Sequence, residues 1–98
     1  MAQQIEWTTQ ALQDYYDVLL YLEEAWSVEI ADAFVVLTEQ KLAVLLQQPQ
    51  LGLKSVKEPE VRSILLTKHN RLYYKLSGSK LIVLNIFDTR RDQASNLF

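Results

Sequence analysis

The last third of the chain carries three short apolar runs separated by tight turns: Val61-Arg62-Ser63-Ile64-Leu65-Leu66, Arg71-Leu72-Tyr73-Tyr74-Lys75-Leu76 and Leu81-Ile82-Val83-Leu84-Asn85-Ile86-Phe87. Each is rich in β-branched, aliphatic or aromatic residues and bounded by polar ones, the pattern of strands. The chain therefore reads here as three adjacent antiparallel strands. Gly78-Ser79, with Gly first, suits a type II′ hairpin turn. That turn sets Leu76 opposite Leu81, Tyr74 opposite Val83 and Leu72 opposite Asn85, and on the other face Lys75 opposite Ile82, Tyr73 opposite Leu84 and Arg71 opposite Ile86.

An even-length loop at Thr67-Lys68-His69-Asn70 places Arg62, Ile64 and Leu66 on the face of Arg71, because side chains alternate with period two. Arg62, Arg71, Lys75 and Arg90 then form a charged row, with Asp88 on the same face. Helices covering Leu65, Leu72, Tyr74, Val83 and Phe87 leave Ile64, Leu66, Tyr73, Ile82, Leu84 and Ile86 on the opposite surface. So large an apolar patch rimmed by charge predicts a protein partner. Leu97 and Phe98 are the residues placed to fold back over it.

The N-terminal half reads as a strand and two helices. Ile5 and Trp7 alternate with polar neighbours, and Thr8 or Thr9 caps a first helix. Leu12, Tyr15, Leu19, Leu22 and Trp26 form one stripe of that helix. Ser27 caps a second, in which Ala31, Val35, Leu42 and Leu45 form one stripe and Ile30, Phe34, Leu37 and Val44 its neighbour. Pro49 stops that helix, and the stretch from Pro49-Gln50-Leu51-Gly52 to Pro59 reads as a loop. The expected order is β-α-α-β-β-β: an α+β fold with the N-terminal strand and helical hairpin packed on one face of an antiparallel sheet.

With 98 residues, 49% of them apolar, the chain has the size of a single domain spanning 1–98. The absence of cysteine rules out disulfides and thiolate metal sites, and no cofactor motif is present. The N-terminal Met1-Ala2-Gln3-Gln4 has neither basic nor apolar signal character, and no apolar run reaches a membrane-spanning length of roughly 20 residues. A cytoplasmic protein with no membrane partner is expected. A net charge of -2 argues against a general polyanion binder. The charge is divided, however: from Gln4 to Gln40 every charged residue is acidic, and every basic residue lies at or after Lys41.

The element order, together with Pro49-x-x-Gly52, Val61-Arg62, Lys68-His69-Asn70-Arg71-Leu72-Tyr73-Tyr74 and Phe87-Asp88-Thr89-Arg90-Arg91-Asp92, resembles the RelE/ParE superfamily of bacterial type II toxin-antitoxin systems over nearly the whole chain. The resemblance implies a toxin neutralised by a cognate antitoxin, alone as a possible homodimer or within a toxin-antitoxin hetero-oligomer. It implies two alternative activities. RelE-like members are ribosome-dependent, metal-independent mRNA endonucleases, which need cations to neutralise the developing phosphate charge and a proton shuttle. Arg62, Arg71 and Arg90 match cationic positions of that branch. A further lysine of that branch is replaced here by Ile64, and its C-terminal acid-base residue by Asn96. His69 is the one histidine, near Asp88, though a histidine in a polar turn is usually only solvated. ParE-like members poison DNA gyrase by binding it, lack the acid-base set, and share an ending of the Arg90-Arg91-Asp92 kind. The ParE-like reading fits this chain better, with a nuclease or a non-toxic relic as alternatives. Arg90 also has a plain role in exposed ion pairs with Asp88 or Asp92, and Asp88 is a candidate partner for Arg71.

Overall fold

Two local caps open the helices. Thr8 and Ser27 both have extended backbones, and their side-chain oxygens accept from the amides of Ala11 and Ile30 at 3.0 and 3.2 Å, satisfying donors that have no partner within a helix's first turn. The computed structural model describes residues 2–91 and 98. Along the chain run β1 (Gln4–Trp7), α1 (Thr9–Ala25), α2 (Val28–Gln47), β2 (Leu53–Lys54), β3 (Val61–Thr67), β4 (Asn70–Ser77) and β5 (Lys80–Asp88).

The strands form one five-stranded sheet in the order β1-β5-β4-β3-β2. β1 runs parallel to β5, and the other pairs are antiparallel. The expected α+β architecture holds, with two differences: β1 lies in the sheet as an edge strand beside β5 instead of on its face with the helices, and residues 53–54, expected as loop, add a short strand at the β3 edge. The β4–β5 turn matches expectation. Gly78 has φ +60 and no other described residue has positive φ, the type II′ requirement. Ser77 pairs with Lys80, Leu76 with Leu81 and Tyr74 with Val83.

The helices pack on one sheet face over a core containing Leu66, Leu72, Tyr74, Leu81, Val83 and Ile86. From α1, Ala11 is buried and Tyr15, Val18, Leu19 and Leu22 pack against that core. Leu12 and Trp26, both assigned to the buried stripe from sequence, are instead 48% and 71% exposed. Phe34, Leu42 and Leu45 supply the α2 contribution. The buried hydroxyl of Thr38 is satisfied within α2 by donating to Phe34 O at 2.8 Å.

Two one-residue bulges correct the expected faces. Thr67 pairs with Asn70 but Leu65 pairs with Arg71, so Leu66 is extra in β3. Tyr74 pairs with Val83 but Tyr73 pairs with Asn85, so Leu84 is extra in β5. Each extra residue reverses side-chain parity beyond it. Ile64, Leu66 and Ile86 therefore lie on the helix side, in or against the main core. Leu65 and Phe87 move to the open side, where Phe87 joins Val61 and Tyr73 in a second cluster with Leu84 and Phe98. Tyr73, Ile82 and Leu84 keep their expected open-face position.

Candidate functional site

The bulges also separate the arginines. Arg62 sits opposite Tyr74, on the helix face, whereas Arg71 lies opposite Leu65 and Phe87 on the open face. The expected charged row of Arg62, Arg71, Lys75 and Arg90 is thus not assembled: Lys75 stays with Arg71, Arg62 does not, and Arg90 follows the end of β5 on the cleft side.

Arg62 is occupied by backbone. Its Nη1 donates to Gln50 O at 3.1 Å and Gly52 O at 2.8 Å. Beside it the Tyr74 hydroxyl donates to Pro49 O at 2.6 Å and accepts from Gly52 N at 3.0 Å. Burial pushes the Tyr74 phenol above its ordinary pKa, with the Gly52 amide and the Arg62 charge acting in the other direction. These groups fix the turn after α2 and aim the next segment along β3, where Ser55 N donates to Val61 O at 2.8 Å.

On the open face, Arg71 Nη1 donates to Ser63 Oγ at 2.9 Å, a correction to the expected pairing with Asp88. A hollow of about 290 Å³ lies here, lined by Lys54, Lys57, Ser63, Arg71, Tyr73 and Phe98 among others. Phe98 does fold back: its ring lies 5.7 Å from that of Tyr73, and its main-chain oxygen accepts from Ser55 Oγ. The expectations for Leu97, Asn96 and Asp92 lie outside the described residues. Arg91 adds a cation 5.8 Å from the Phe87 ring centre.

Asp88 lies on the other side, another reversal caused by the Leu84 bulge. Arg90 grips it through Nε and Nη2, at 3.0 and 2.9 Å, and this hydrogen-bonded guanidinium is the largest cause holding the Asp88 carboxyl below its usual pKa. The pair borders a cleft of about 770 Å³ between the helical hairpin and the β3–β4 turn, with Tyr21, Trp26, Ile30, Leu37, His69 and Ile86 among its walls. Sequence reading missed this cleft, because Trp26 and Ile30 were assigned to buried stripes. They are 71% and 47% exposed, Trp26 as the residue that caps the end of α1 and Ile30 in the first turn of α2.

The cleft floor is built by side chains that cap the edge of β5. β1 stops at Trp7, and Thr8 continues its work: the amide donates to Val83 O at 3.0 Å and the hydroxyl to Leu84 O at 2.8 Å. Asp14 then accepts from Ile86 N at 2.9 Å. The bulged strand edge is thereby satisfied by α1 rather than by another strand. His69 contributes its backbone carbonyl to Thr89 N at 2.9 Å, while its side chain lines the cleft.

Comparison with known proteins agrees with this architecture. The family profile described as "ParE toxin of type II toxin-antitoxin system, parDE" matches residues 5–93. The chain belongs to the ParE toxin family. As such it is the toxin component of a type II toxin-antitoxin system, and an antitoxin is its partner. Among solved structures, the chromosomal ParDE system of P. aeruginosa aligns with a TM-score of 0.73 at 19% identity, covering 88% of this ParE-family chain and 95% of the other. A YoeB/ParE toxin from Agrobacterium tumefaciens gives 0.65 at 18% identity, over 88% and 98% of the two chains. The isolated E. coli RelE toxin gives 0.63 at 16% identity, over 95% and 90%. At these identities the structures show a shared fold. No curated protein matches the sequence significantly. Among the described residues, no helix of this ParE-family chain is long and apolar enough to cross a membrane.

Proposed function

We propose that this toxin inhibits growth by binding a protein, with DNA gyrase as the expected target, and that its antitoxin is held in the cleft between the helical hairpin and the β3–β4 turn. The observation that carries the first part is the separation of Arg62 from Arg71 across the sheet. Metal-independent RNA cleavage needs several cations converging on one phosphate and a proton shuttle beside them. Arg62 is spent on two loop carbonyls, Arg90 is paired with Asp88 on the cleft side, and Ile64 faces the core. Only Arg71 and Lys75 remain of the expected row.

The second part rests on the cleft itself. It is larger than the open-face hollow, and exposed Trp26, Tyr21 and Ile30 present apolar surface beside charged Asp17, Asp88 and Arg90. A groove with apolar anchors and a polar rim suits an amphipathic segment of a partner. The antitoxin surface expected from sequence, on the open sheet face, is narrowed to Tyr73, Lys75, Ile82 and Leu84, since Ile64, Leu66 and Ile86 lie beneath the helices.

Induced expression of the chain alone in a bacterial host tests the activity, with growth, mRNA integrity and plasmid topology read together. Arrest with intact mRNA and altered supercoiling is expected. Arrest with cleaved ribosome-bound mRNA would overturn the reading in favour of a nuclease, and normal growth would favour a relic.

A further inference from the structure

We infer that the segment 51–57 is the surface by which the toxin docks on its protein target, receiving an apolar, carboxylate-bearing surface of that target. The inference rests on the toxin role and is independent of where the antitoxin binds.

Three apolar side chains within this segment face water: Leu51 is 55% exposed, Leu53 67% and Val56 96%. Single exposed apolar residues need no explanation, but a cluster at one edge does. A mobile loop would hide such residues by collapsing onto the sheet. This one cannot, because it is held at both ends. Tyr74 and Arg62 bind Pro49, Gln50 and Gly52 through four hydrogen bonds. Ser55 N donates to Val61 O, and Glu58 N donates to Ser55 Oγ at 3.2 Å. The fold commits a buried tyrosine and a guanidinium to presenting exposed apolar side chains in a fixed geometry, which is preorganisation of a binding surface.

Charge names the partner's chemistry. Leu53 and Val56 rim the open-face hollow, whose other walls include Lys54, Lys57 and Arg71 and, among the described residues, no aspartate or glutamate side chain. An apolar rim backed by three cations is complementary to a protein surface carrying carboxylates beside apolar groups. The hollow already accommodates polypeptide: the Phe98 ring lies tilted against Tyr73, with the residue's main-chain oxygen on Ser55 Oγ. RNA is disfavoured as the occupant, because the most exposed side chains are aliphatic and offer neither a stacking surface nor charge. β2 is also an edge strand paired on one side only, so it can extend the contact by backbone hydrogen bonding.

Two variants test the assignment: Leu53→Asp/Val56→Asp and Lys54→Glu/Lys57→Glu, each expressed alone for growth arrest and, with antitoxin, for co-purification. Both are expected to melt with the parent chain, retain antitoxin, and weaken target engagement by about tenfold or more, as loss of a central interface contact does, so that arrest is relieved at matched expression. Arrest equal to the parent's in both variants would overturn the inference. Loss of antitoxin binding would overturn it too, making the segment an antitoxin surface. Relief of mRNA cleavage with plasmid topology unaffected throughout would identify an RNA contact and overturn the protein assignment. Absence of arrest from the parent chain would remove the toxin role and the inference with it. If the aspartate pair fails to fold, the lysine pair decides alone, since those side chains lie on the exposed segment.

Discussion

Tyr74 and Gly52 are locked together: the phenolic oxygen accepts from the Gly52 amide at 3.0 Å and donates to the carbonyl of Pro49 at 2.6 Å. A Cβ built on Gly52 falls 2.5 Å from that oxygen and 2.8 Å from Tyr74 Cε1. Space, not backbone conformation, demands glycine there, because φ is not positive. Gly52→Ala is therefore expected to break the lock and lower the melting temperature. Tyr74→Phe keeps the ring and strands a buried amide and carbonyl, at a cost of about 1–3 kcal/mol. For a domain of this size each kcal/mol is roughly 4–8 °C in Tm. Urea denaturation measures the cost, and hydrogen exchange over residues 50–57 is expected to rise in both variants.

Arg62 and Arg71 are expected to separate by phenotype. Arg62→Ala removes two hydrogen bonds to loop carbonyls and should cost about 1–3 kcal/mol, as bonds to charged groups do, with Arg62→Lys recovering only part because an ammonium cannot reproduce the planar fork. Arg71→Ala loses one bond to Ser63 on the open face and should cost less. If growth inhibition falls in proportion to lost stability for Arg62 variants, but falls without lost stability for Arg71→Ala, Arg62 positions the loop and Arg71 faces the target. The reverse pattern in paired thermal melts and growth assays would contradict this.

Features governed by neighbours in sequence were legible before the fold was known. Thr8 and Ser27 cap within three residues, and Gly78 supplies the positive φ of its own turn. The faces beyond the bulges were not. Nothing local marks Leu84 as extra: the irregularity accompanies contacts from α1, where Thr8 holds Leu84 O and Asp14 takes Ile86 N, partners 76 and 72 positions apart in the chain. The bulge at Leu66 likewise exchanges two similar residues, burying Leu66 to 2% and leaving Leu65 41% exposed. Period-two reading has no means to choose between adjacent leucines. β2 was not legible because distant residues set its place: Tyr74 and Arg62 hold Pro49, Gln50 and Gly52 just ahead of it, and it pairs with Arg62 and Ser63. The family pattern was readable because it rests on order and spacing, which the bulges leave unchanged. The residues assigned to one catalytic face were not, because one-residue shifts decide them.

Two titrations are expected at opposite ends of the pH range. The Asp88 carboxyl is held below its usual value by Arg90. A depressed folded pKa means that the ion pair's contribution is present above the unfolded value, about 3.9, and is lost as pH falls through the folded one. The side chains are 33% and 53% exposed, so the effect on global stability is small and screened by salt. Carboxyl-carbon NMR reads it directly, and Arg90→Gln is expected to move Asp88 upward. For Tyr74 the sign is opposite in pH: burial raises its folded pKa, so the unfolded chain ionises first and stability declines as pH rises above about 10. Tyr74→Phe should remove that alkaline component.

Trp26 and Trp7 offer a direct readout of the cleft. Trp7 is stacked on Tyr15 with ring centres 5.0 Å apart, and neither residue lines the cleft. Trp26 is 71% exposed on the cleft wall, and its emission is expected to shift to the blue when antitoxin covers it. Trp26→Phe should abolish the shift while leaving Trp7 emission in place. Trp26→Ala should change stability by no more than about 0.5 kcal/mol, as for a surface side chain, yet weaken antitoxin binding strongly, because exposed tryptophans that become buried dominate interface energetics. An antitoxin that binds Trp26→Ala with undiminished affinity and leaves parent Trp26 emission unmoved would place the partner away from the cleft, on the open face with Tyr73, Lys75, Ile82 and Leu84.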